Sequence, residues 1–200
     1  MDAKKISTLG YGFVIVSPTI FEHCRKDRNI TDRRMISYFS KDNNAFYDFI
    51  SKGAFIPIHH LIYDRYSLYF SLSQFEKSLL DTWNVKTTWE SFNLHIDSSN
   101  SVWAMEIEEM EKWSIRNLNK YGDCLKGVYY DIYENEYTEF KAIKYNLPEG
   151  KYDVKIYGLV RKVKTNNDRE NYGFLIELSE TESFTSTTDS SETNFSRLFD

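Results

Sequence analysis

Residues 127–163 constrain the fold more strongly than any other part of the chain, because they predict three consecutive strands. The strands span residues 128–133, 137–145 and 152–160, and they are rich in Tyr and β-branched residues, which favour sheets. A turn that contains Pro148 and Gly150 joins the last two strands. Acidic side chains punctuate the positions expected to be exposed. The segment therefore sets the fold class as mainly β, and it offers a surface for binding.

Further strands are predicted on both sides of this segment, at residues 9–16, 55–62, 65–72, 89–96 and 171–178. The clearest of them has a period of two, because Tyr66, Leu68 and Phe70 alternate with smaller or more polar residues. About eight strands with few helices predict an antiparallel β-sandwich or barrel with one or two short helices.

One short helix is predicted after Asn43, where Ala45 and Phe49 lie at helical spacing and Lys52-Gly53 is typical of a helix end. Residues 22–34 contain five basic residues and predict a charged loop or an exposed helix. Residues 102–118 fit a strand or a helix. The neighbouring strands favour a strand through Ile107.

The chain divides into a single β-rich domain, residues 1–178, and an acidic tail, residues 179–200, that is rich in Ser and Thr. The tail has too few apolar residues to offset the entropy of ordering, so we expect it to be disordered. Phe195, Leu198 and Phe199 are exceptions, with side chains suited to docking.

The charge excludes some classes of partner. The net charge is −5, whereas nucleic-acid binding needs a basic face, so no direct nucleic-acid contact is expected. No apolar run approaches the roughly 20 residues that span a bilayer, so no membrane partner is expected. Cys24 and Cys124 are too few for a disulfide scaffold. Free thiols in the cytoplasm are favoured, and a single bridge between them stays open.

The sequence shows no catalytic, metal-binding or cofactor-binding motif. His59 and His60 are adjacent, and neighbours on a strand point to opposite faces, so they are not expected to share a metal. His95 and Asp97 would share a strand face, but no nucleophile accompanies them. No glycine-rich loop suited to phosphate is present. We therefore expect a protein that is not an enzyme and that has no cofactor.

A cluster of acidic and aromatic residues is the strongest candidate site. Residues 104–139 hold nine acidic and four basic residues, a net charge of −5, with Trp and Tyr interleaved. Charges speed the encounter with an oppositely charged protein, and buried aromatic rings supply anchor energy. The predicted residues that bind the partner are Glu106, Glu108, Glu109, Glu111, Asp131, Glu134, Glu136, Glu139, Tyr130 and Tyr133.

The sequences VYYDIYEN at 128–135 and AIKYNLPEGKYDVKIY at 142–157 resemble the competence protein ComJ family. Its members are small β proteins with a strand, a strand ending in Leu-Pro-x-Gly-x-Tyr and another strand, and they inhibit a DNA-entry nuclease. The resemblance covers about residues 126–160 and implies a β fold and an inhibitory function. It transfers no inhibitory residue. In style the chain is also similar to bacterial immunity proteins that neutralise toxins.

Three functional hypotheses follow from the sequence. The first is an immunity-type inhibitor that masks the basic active site of a toxin or nuclease with its acidic surface. The second is a β-sandwich module that binds a carbohydrate or another ligand, with Trp and Tyr as stacking platforms. The third is a hydrolase that uses His95 and Asp97. The first is the preferred hypothesis.

Overall fold

The structure, a computed structural model, describes residues 4–8, 11–62, 64–72, 78–130, 134–165, 170–184 and 193–200. Ten strands form two five-stranded sheets in this part of the chain. The strands are β1 (Lys4–Thr8), β2 (Gly12–Val16), β3 (Phe55–His59), β4 (Asp64–Ser71), β5 (Trp83–Ile96), β6 (Ser101–Glu106), β7 (Cys124–Tyr130), β8 (Glu136–Asn146), β9 (Gly150–Arg161) and β10 (Tyr172–Thr181).

The two sheets pack face to face as a sandwich. Sheet A has the strand order β1-β4-β10-β9-β5, and sheet B has the order β3-β2-β6-β8-β7. Neighbours in both sheets are antiparallel except β4 and β10, which are parallel. The largest buried cluster contains side chains from both sheets, such as Phe13 of β2 and Phe174 of β10. The prediction of a mainly antiparallel β-sandwich is confirmed.

Sheet B is covered on both faces, which explains why its central strands have continuous apolar runs. Phe13 and Ile15 of β2 point into the core between the sheets, whereas Val14 and Val16 point towards a layer of helices. A strand with two buried faces loses the alternating pattern that marks a half-exposed strand. Pro57 lies in β3, an edge strand of the sheet. Proline lacks a backbone N–H, and an edge strand tolerates this better than a central strand, which is hydrogen-bonded on both sides.

The helices are more numerous than the one or two expected, and most of them cover the outer face of sheet B. Phe21 of the first helix lies at the centre of this layer, with its ring centroid 4.8 Å from Phe49 and 4.3 Å from Trp113. The helices of the described residues are α1 (Pro18–Asp27), α2 (Met35–Phe39), α3 (Asn43–Ser51), α4 (Leu79–Thr82), α5 (Ile115–Leu118) and the 3-10 helices Ile107–Lys112 and Phe195–Leu198.

Helix α3 begins and ends where the sequence predicts. Asp42 caps it, because its carboxylate accepts a hydrogen bond of 3.0 Å from the N–H of Ala45. Gly53 follows the helix with a φ of +68°, and a Cβ there would lie 2.7 Å from the backbone nitrogen of His95. Only glycine fits this position, which brings α3 against β5.

The prediction of a disordered tail is wrong for the described residues of 179–200. Strand β10 continues to Thr181, and residues 195–198 form a 3-10 helix. Phe195 and Leu198 are buried in the core between the sheets. Gly158 of β9 makes room for Leu198, because a Cβ there would lie 3.0 Å from the Leu198 side chain. Residues 185–192 lie outside the described residues.

Other predictions are partly confirmed. Residues 102–118 form a strand only to Glu106, and Ile107 begins a 3-10 helix. Residues 22–34 include the end of α1, which buries Cys24 and Arg25 and is therefore more than a charged exposed segment. Cys24 and Cys124 are both free thiols. No helix in the described residues is long and apolar enough to cross a membrane.

Candidate functional site

The hairpin of β7 and β8 carries the most exposed part of the predicted acidic and aromatic set. We define the hairpin surface as Val128, Tyr130, Glu134, Glu136 and Tyr137, all of which are exposed. Val128 and Tyr130 each keep 58% of their surface accessible, which is high for large apolar side chains. The outer half of the hairpin therefore presents rings and carboxylates to solvent together.

The strand register determines which of these residues share a face. Tyr130 lies opposite Glu136 and Val128 lies opposite Thr138, so these four residues share one face of the ribbon. The Tyr130 hydroxyl donates a hydrogen bond of 3.1 Å to a Glu136 carboxylate oxygen. Tyr137 lies on the other face. The carboxylate of Glu136 is thus held beside an exposed ring.

The base of the hairpin is anchored to sheet A. The backbone N–H of Phe140 donates to the Ser7 hydroxyl of β1 at 3.4 Å. The guanidinium of Arg65 donates to the Thr138 carbonyl at 3.2 Å and lies 5.8 Å from the centroid of the Tyr137 ring. These contacts fix the ribbon relative to the sandwich. Strand β7 ends the order of sheet B, so its outer edge is unpaired among the described strands.

Two predicted site residues are buried and do not belong to an exposed surface. Glu106 retains 1% of its accessible surface and Glu139 retains 3%. Glu106 lies on the same face of β6 as Val102 and Ala104, which belong to the core between the sheets. The prediction that Glu106 and Glu139 contribute to an exposed acidic face is therefore wrong. Asp131 and Tyr133 lie outside the described residues.

The remaining three acids lie on the 3-10 helix of residues 107–112, which packs on α2, β2 and β6 rather than on the hairpin. Glu108 is exposed and Glu109 is half-buried. Glu111 is held by α2, because its carboxylate accepts bonds from the Ser37 N–H at 2.6 Å and the Ser37 hydroxyl at 3.0 Å. The predicted acidic set is thus divided between two places in the fold.

An apolar groove lies beside the same 3-10 helix on the outer face of sheet B. We call it the aromatic groove, because the rings of Phe39, Phe46 and Phe55 line it. Phe39 and Phe55 are stacked, with centroids 5.4 Å apart and planes 6° from parallel. Phe46 meets both rings edge-on at 5.6 Å. The groove has a volume of about 320 Å³.

The other walls of the aromatic groove come from several parts of the chain. Val14 of β2 and Pro57 of β3 are paired across sheet B and lie at its base. Ile107 and Met110, which are three residues apart on the 3-10 helix, form one side. Ile36 of α2, with 37% of its surface exposed, and Tyr47 of α3 lie on the helical side, and His59 at the end of β3 is also part of the lining.

Sequence reasoning missed this groove because its residues are spread over segments 14 to 110. The rings of Phe39, Phe46 and Phe55 occur on α2, α3 and β3, which had no predicted contact. The only signal in the sequence was the high aromatic content, 14 Phe and 15 Tyr among 200 residues. Such a content fits a core or a binding site equally well.

The pair His95 and Asp97 does not form a catalytic arrangement with a nucleophile in the described residues. Asp97 accepts a hydrogen bond of 2.6 Å from the Ser99 hydroxyl within the turn after β5. Burial lowers the pKa of His95, and the neighbouring Lys151 lowers it further. No group of three or more His, Cys, Asp or Glu suited to a metal occurs in the described part of the chain.

All four Trp side chains are buried, which bears on the carbohydrate hypothesis. Trp83 and Trp113 retain 1% of their accessible surface, Trp103 retains 3% and Trp89 retains 8%. A sugar ring stacks on an exposed aromatic face, and none of these residues offers one. Among the described residues, the exposed aromatic side chains are those of Tyr11, Tyr47, Tyr130 and Tyr137.

A comparison of the chain with protein-family models, with curated proteins and with solved structures found no match. The resemblance of residues 126–160 to the ComJ family therefore stays a prediction. In the structure these residues correspond to most of β7, β8 and β9, which include the hairpin surface.

Proposed function

We propose that the chain is a non-enzymatic inhibitor of the immunity type, which acts in the bacterial cytoplasm and binds a basic toxin or nuclease domain through the hairpin surface. The observation that carries the proposal is the exposure of Tyr130 and Val128 on the same face as Glu136, with Glu134 also exposed just before β8. Aromatic rings supply anchor energy at protein interfaces, and acidic side chains steer a positively charged partner.

The anchored geometry of the hairpin supports this proposal. The ribbon is tied to sheet A by Ser7 and Arg65, so its outer half projects from a fixed base. A surface that is ordered before binding loses less entropy when the complex forms. Strand β7 is the last strand of sheet B among the described residues, so a strand of the partner can extend the sheet at this end.

The mechanism is the occupation of a basic groove that otherwise holds nucleic acid. A nuclease binds phosphates through Lys and Arg, and a rigid acidic ribbon competes for the same charges. Association should be fast at low salt and slower as salt increases, because screening weakens steering over a Debye length of about 8 Å at physiological ionic strength.

The test begins with a charge-reversed double variant, Glu134→Lys with Glu136→Lys. The matched control is Glu180→Lys with Glu182→Lys, which makes the same charge change at exposed positions at and just beyond the end of β10. Proteins captured from the native host by the wild-type chain and by the control, but lost with the hairpin variant, are purified. Each is then assayed for nuclease or other toxic activity with and without the chain.

The expected result is a basic protein whose activity is blocked at equimolar chain, with an association rate that falls as salt is added. Equal capture by the hairpin variant would remove the hairpin surface from the proposal. A captured protein that keeps its full activity when bound would contradict an inhibitory role. A parallel variant, Glu108→Lys with Glu109→Lys, reports whether the second acidic position also contacts the partner.

A further inference from the structure

We propose that the aromatic groove is a binding site for a small uncharged molecule with about two fused rings and one hydrogen-bonding group. The site is separate from the hairpin surface and does not depend on the inhibitory function. Its residues belong to α2, α3, β2, β3 and the 3-10 helix, whereas the hairpin surface belongs to β7, β8 and the turn between them.

The size of the groove indicates the size of the ligand. Ligand sites in proteins have volumes of about 300–1,000 Å³ and are mostly apolar. The groove has about 320 Å³, which places it at the lower end of that range. A cavity of about 150 Å³ in another protein holds one benzene molecule. A ligand of about two fused rings therefore fits the available space.

The lining determines the charge of the ligand. Asp, Glu, Lys and Arg do not occur among the described residues that line the groove. The ionisable side chains of the lining are His59 and Tyr47, so a charged group placed there would lose its hydration without a carboxylate, ammonium or guanidinium group to pair with. Aromatic rings favour a flat ligand, because ring pairs gain about 0.5–1.5 kcal/mol beyond the burial of their area.

Four residues of the lining have polar side chains, Ser40, Asn43, Tyr47 and His59, and they suit a ligand with a hydrogen-bonding group. Asn43 begins α3, Ser40 directly follows α2, and both are exposed. The Ser40 hydroxyl donates to the Ser37 carbonyl at 2.9 Å, which leaves its oxygen able to accept. An amide and a hydroxyl at the rim suit a ligand hydroxyl that remains at the boundary with water.

The groove is preformed because the 3-10 helix that forms one of its walls is hydrogen-bonded to α2. Glu111 joins the 3-10 helix to α2 through two hydrogen bonds to Ser37. The backbone N–H of Trp113, just after this helix, donates to the Arg33 carbonyl at 3.1 Å. The side formed by Ile107 and Met110 is thereby held at a fixed distance from Ile36. A wall held in this way keeps the space open for a ligand.

The experiment uses 2-naphthol as the probe and naphthalene-2-carboxylate as its charged counterpart, titrated into the ¹⁵N-labelled full chain. We expect 2-naphthol to shift the amide signals of Ser40, Asn43 and Ile107, and the carboxylate to bind about tenfold more weakly or less. Absence of shifts with 2-naphthol at millimolar concentration would overturn the proposal. Equal binding of the carboxylate would overturn the argument from charge.

A blocking variant localises the binding. Ile36→Trp should fill the mouth of the groove and abolish binding of 2-naphthol, whereas Ile62→Trp, at an exposed isoleucine outside the groove, should leave it unchanged. Ser40→Phe is a second blocking variant if Ile36→Trp does not fold. Unchanged binding in a folded blocking variant would contradict the site.

Two further outcomes separate this inference from the proposed inhibitor. Glu134→Lys with Glu136→Lys should leave 2-naphthol binding unchanged, because the hairpin surface is a different part of the fold. If 2-naphthol does not bind and Ile36→Trp instead abolishes capture of the protein partner, the groove holds a side chain of that partner and the small-molecule proposal is wrong.

Discussion

The ring of Phe195 packs 4.7 Å from the ring of Trp89, and the Trp89 indole N–H donates to the Asn194 carbonyl at 3.3 Å. A residue five positions from the C-terminal end of the sequence is thus a fully buried part of the core between the two sheets. The Phe195 ring also lies 6.1 Å from Phe92 of β5 and 6.1 Å from His59 of β3. The terminal 3-10 helix therefore joins one edge strand of each sheet.

Phe195→Ala should destabilise the protein by about 3–5 kcal/mol, because it removes a large buried ring and leaves a cavity. The measurement is the free energy of unfolding from urea titration. Arg197→Ala changes an exposed residue of the same 3-10 helix and should alter stability by less than about 0.5 kcal/mol. Equal effects of the two substitutions would show that the terminal helix does not dock as described.

Glu106→Lys should destabilise the protein by more than about 2 kcal/mol, because it places an ammonium group in a buried position. Glu134→Lys makes the same change at an exposed position and should alter stability by less than about 0.5 kcal/mol. Thermal and urea unfolding of both variants measure the contrast. A stable Glu106→Lys protein would contradict the burial of Glu106.

Glu111→Ala should lower the free energy of unfolding by about 1–2 kcal/mol, because the Ser37 N–H and hydroxyl lose their acceptor. The neighbouring Glu108→Ala is the matched control, since Glu108 is exposed on the same 3-10 helix. Hydrogen exchange at the Ser37 amide should also accelerate in Glu111→Ala alone. Unchanged exchange would mean that Glu111 does not hold α2.

Stability should fall as the pH is lowered through the ordinary range of histidine, and His95 should contribute to this fall. The pKa of His95 is lowered in the folded state, first by burial and then by Lys151, although Asp97 and Glu149 act in the opposite direction. The unfolded chain, with a histidine pKa of 6.5, therefore binds the proton more readily. The contribution is full above that pKa and is lost as the pH falls towards the lower folded pKa.

His95→Gln should flatten this pH dependence between about pH 7 and 5. His23→Gln is the control, because His23 is exposed on α1. The free energy of unfolding of the three proteins is measured across this range. A slope that His95→Gln leaves unchanged would show that the pKa of His95 is not lowered in the folded protein.

The sequence predicted β4, β9 and β10 of sheet A closely, because one face of that sheet is not covered by the helical layer. In β9 the buried residues Tyr152, Val154 and Ile156 alternate with half-buried ones, which is the period-two pattern of a strand with one face in the core. Strand β1 was missed because it is short and has a single apolar residue, Ile6, which lies in the core. Five residues with one such side chain give no detectable period.

Apart from α3, the helical layer was missed because charges conceal its apolar face. Ile20, Phe21 and Cys24 of α1 are buried together, but Arg25 and Lys26 follow directly. Arg25 is itself buried and donates to the carbonyls of Ile30 and Asp32. A basic residue used in this way looks like surface in the sequence, although it ties the end of α1 to the following loop.

The acidic candidate site was only partly predictable. The alternation of β6 could have placed Glu106 with Val102 and Ala104 on the core face, but the burial of Glu139 depends on an irregularity in the pairing of β7 with β8. The register of β7 and β8 shifts between Leu125, which pairs with Ala142, and Lys126, which pairs with Phe140. Lys141 is therefore an additional residue of β8 that has no partner residue in β7. Such a bulge changes which side chains face inwards. The sequence around Lys141 gives no sign of it.

The position of β10 has a consequence for synthesis on the ribosome. All strands of sheet B have been translated by Asn146, whereas β10 forms only from Tyr172 onwards and lies between β4 and β9 at the middle of sheet A. Strand β4 therefore has β1 as its only neighbour among the described strands until the 100 residues between Ser71 and Tyr172 have been translated. An emerging polypeptide can bring together the strands of sheet B early, whereas sheet A closes only once β10 has emerged, so a chain that stops before β10 would be half built and prone to aggregation.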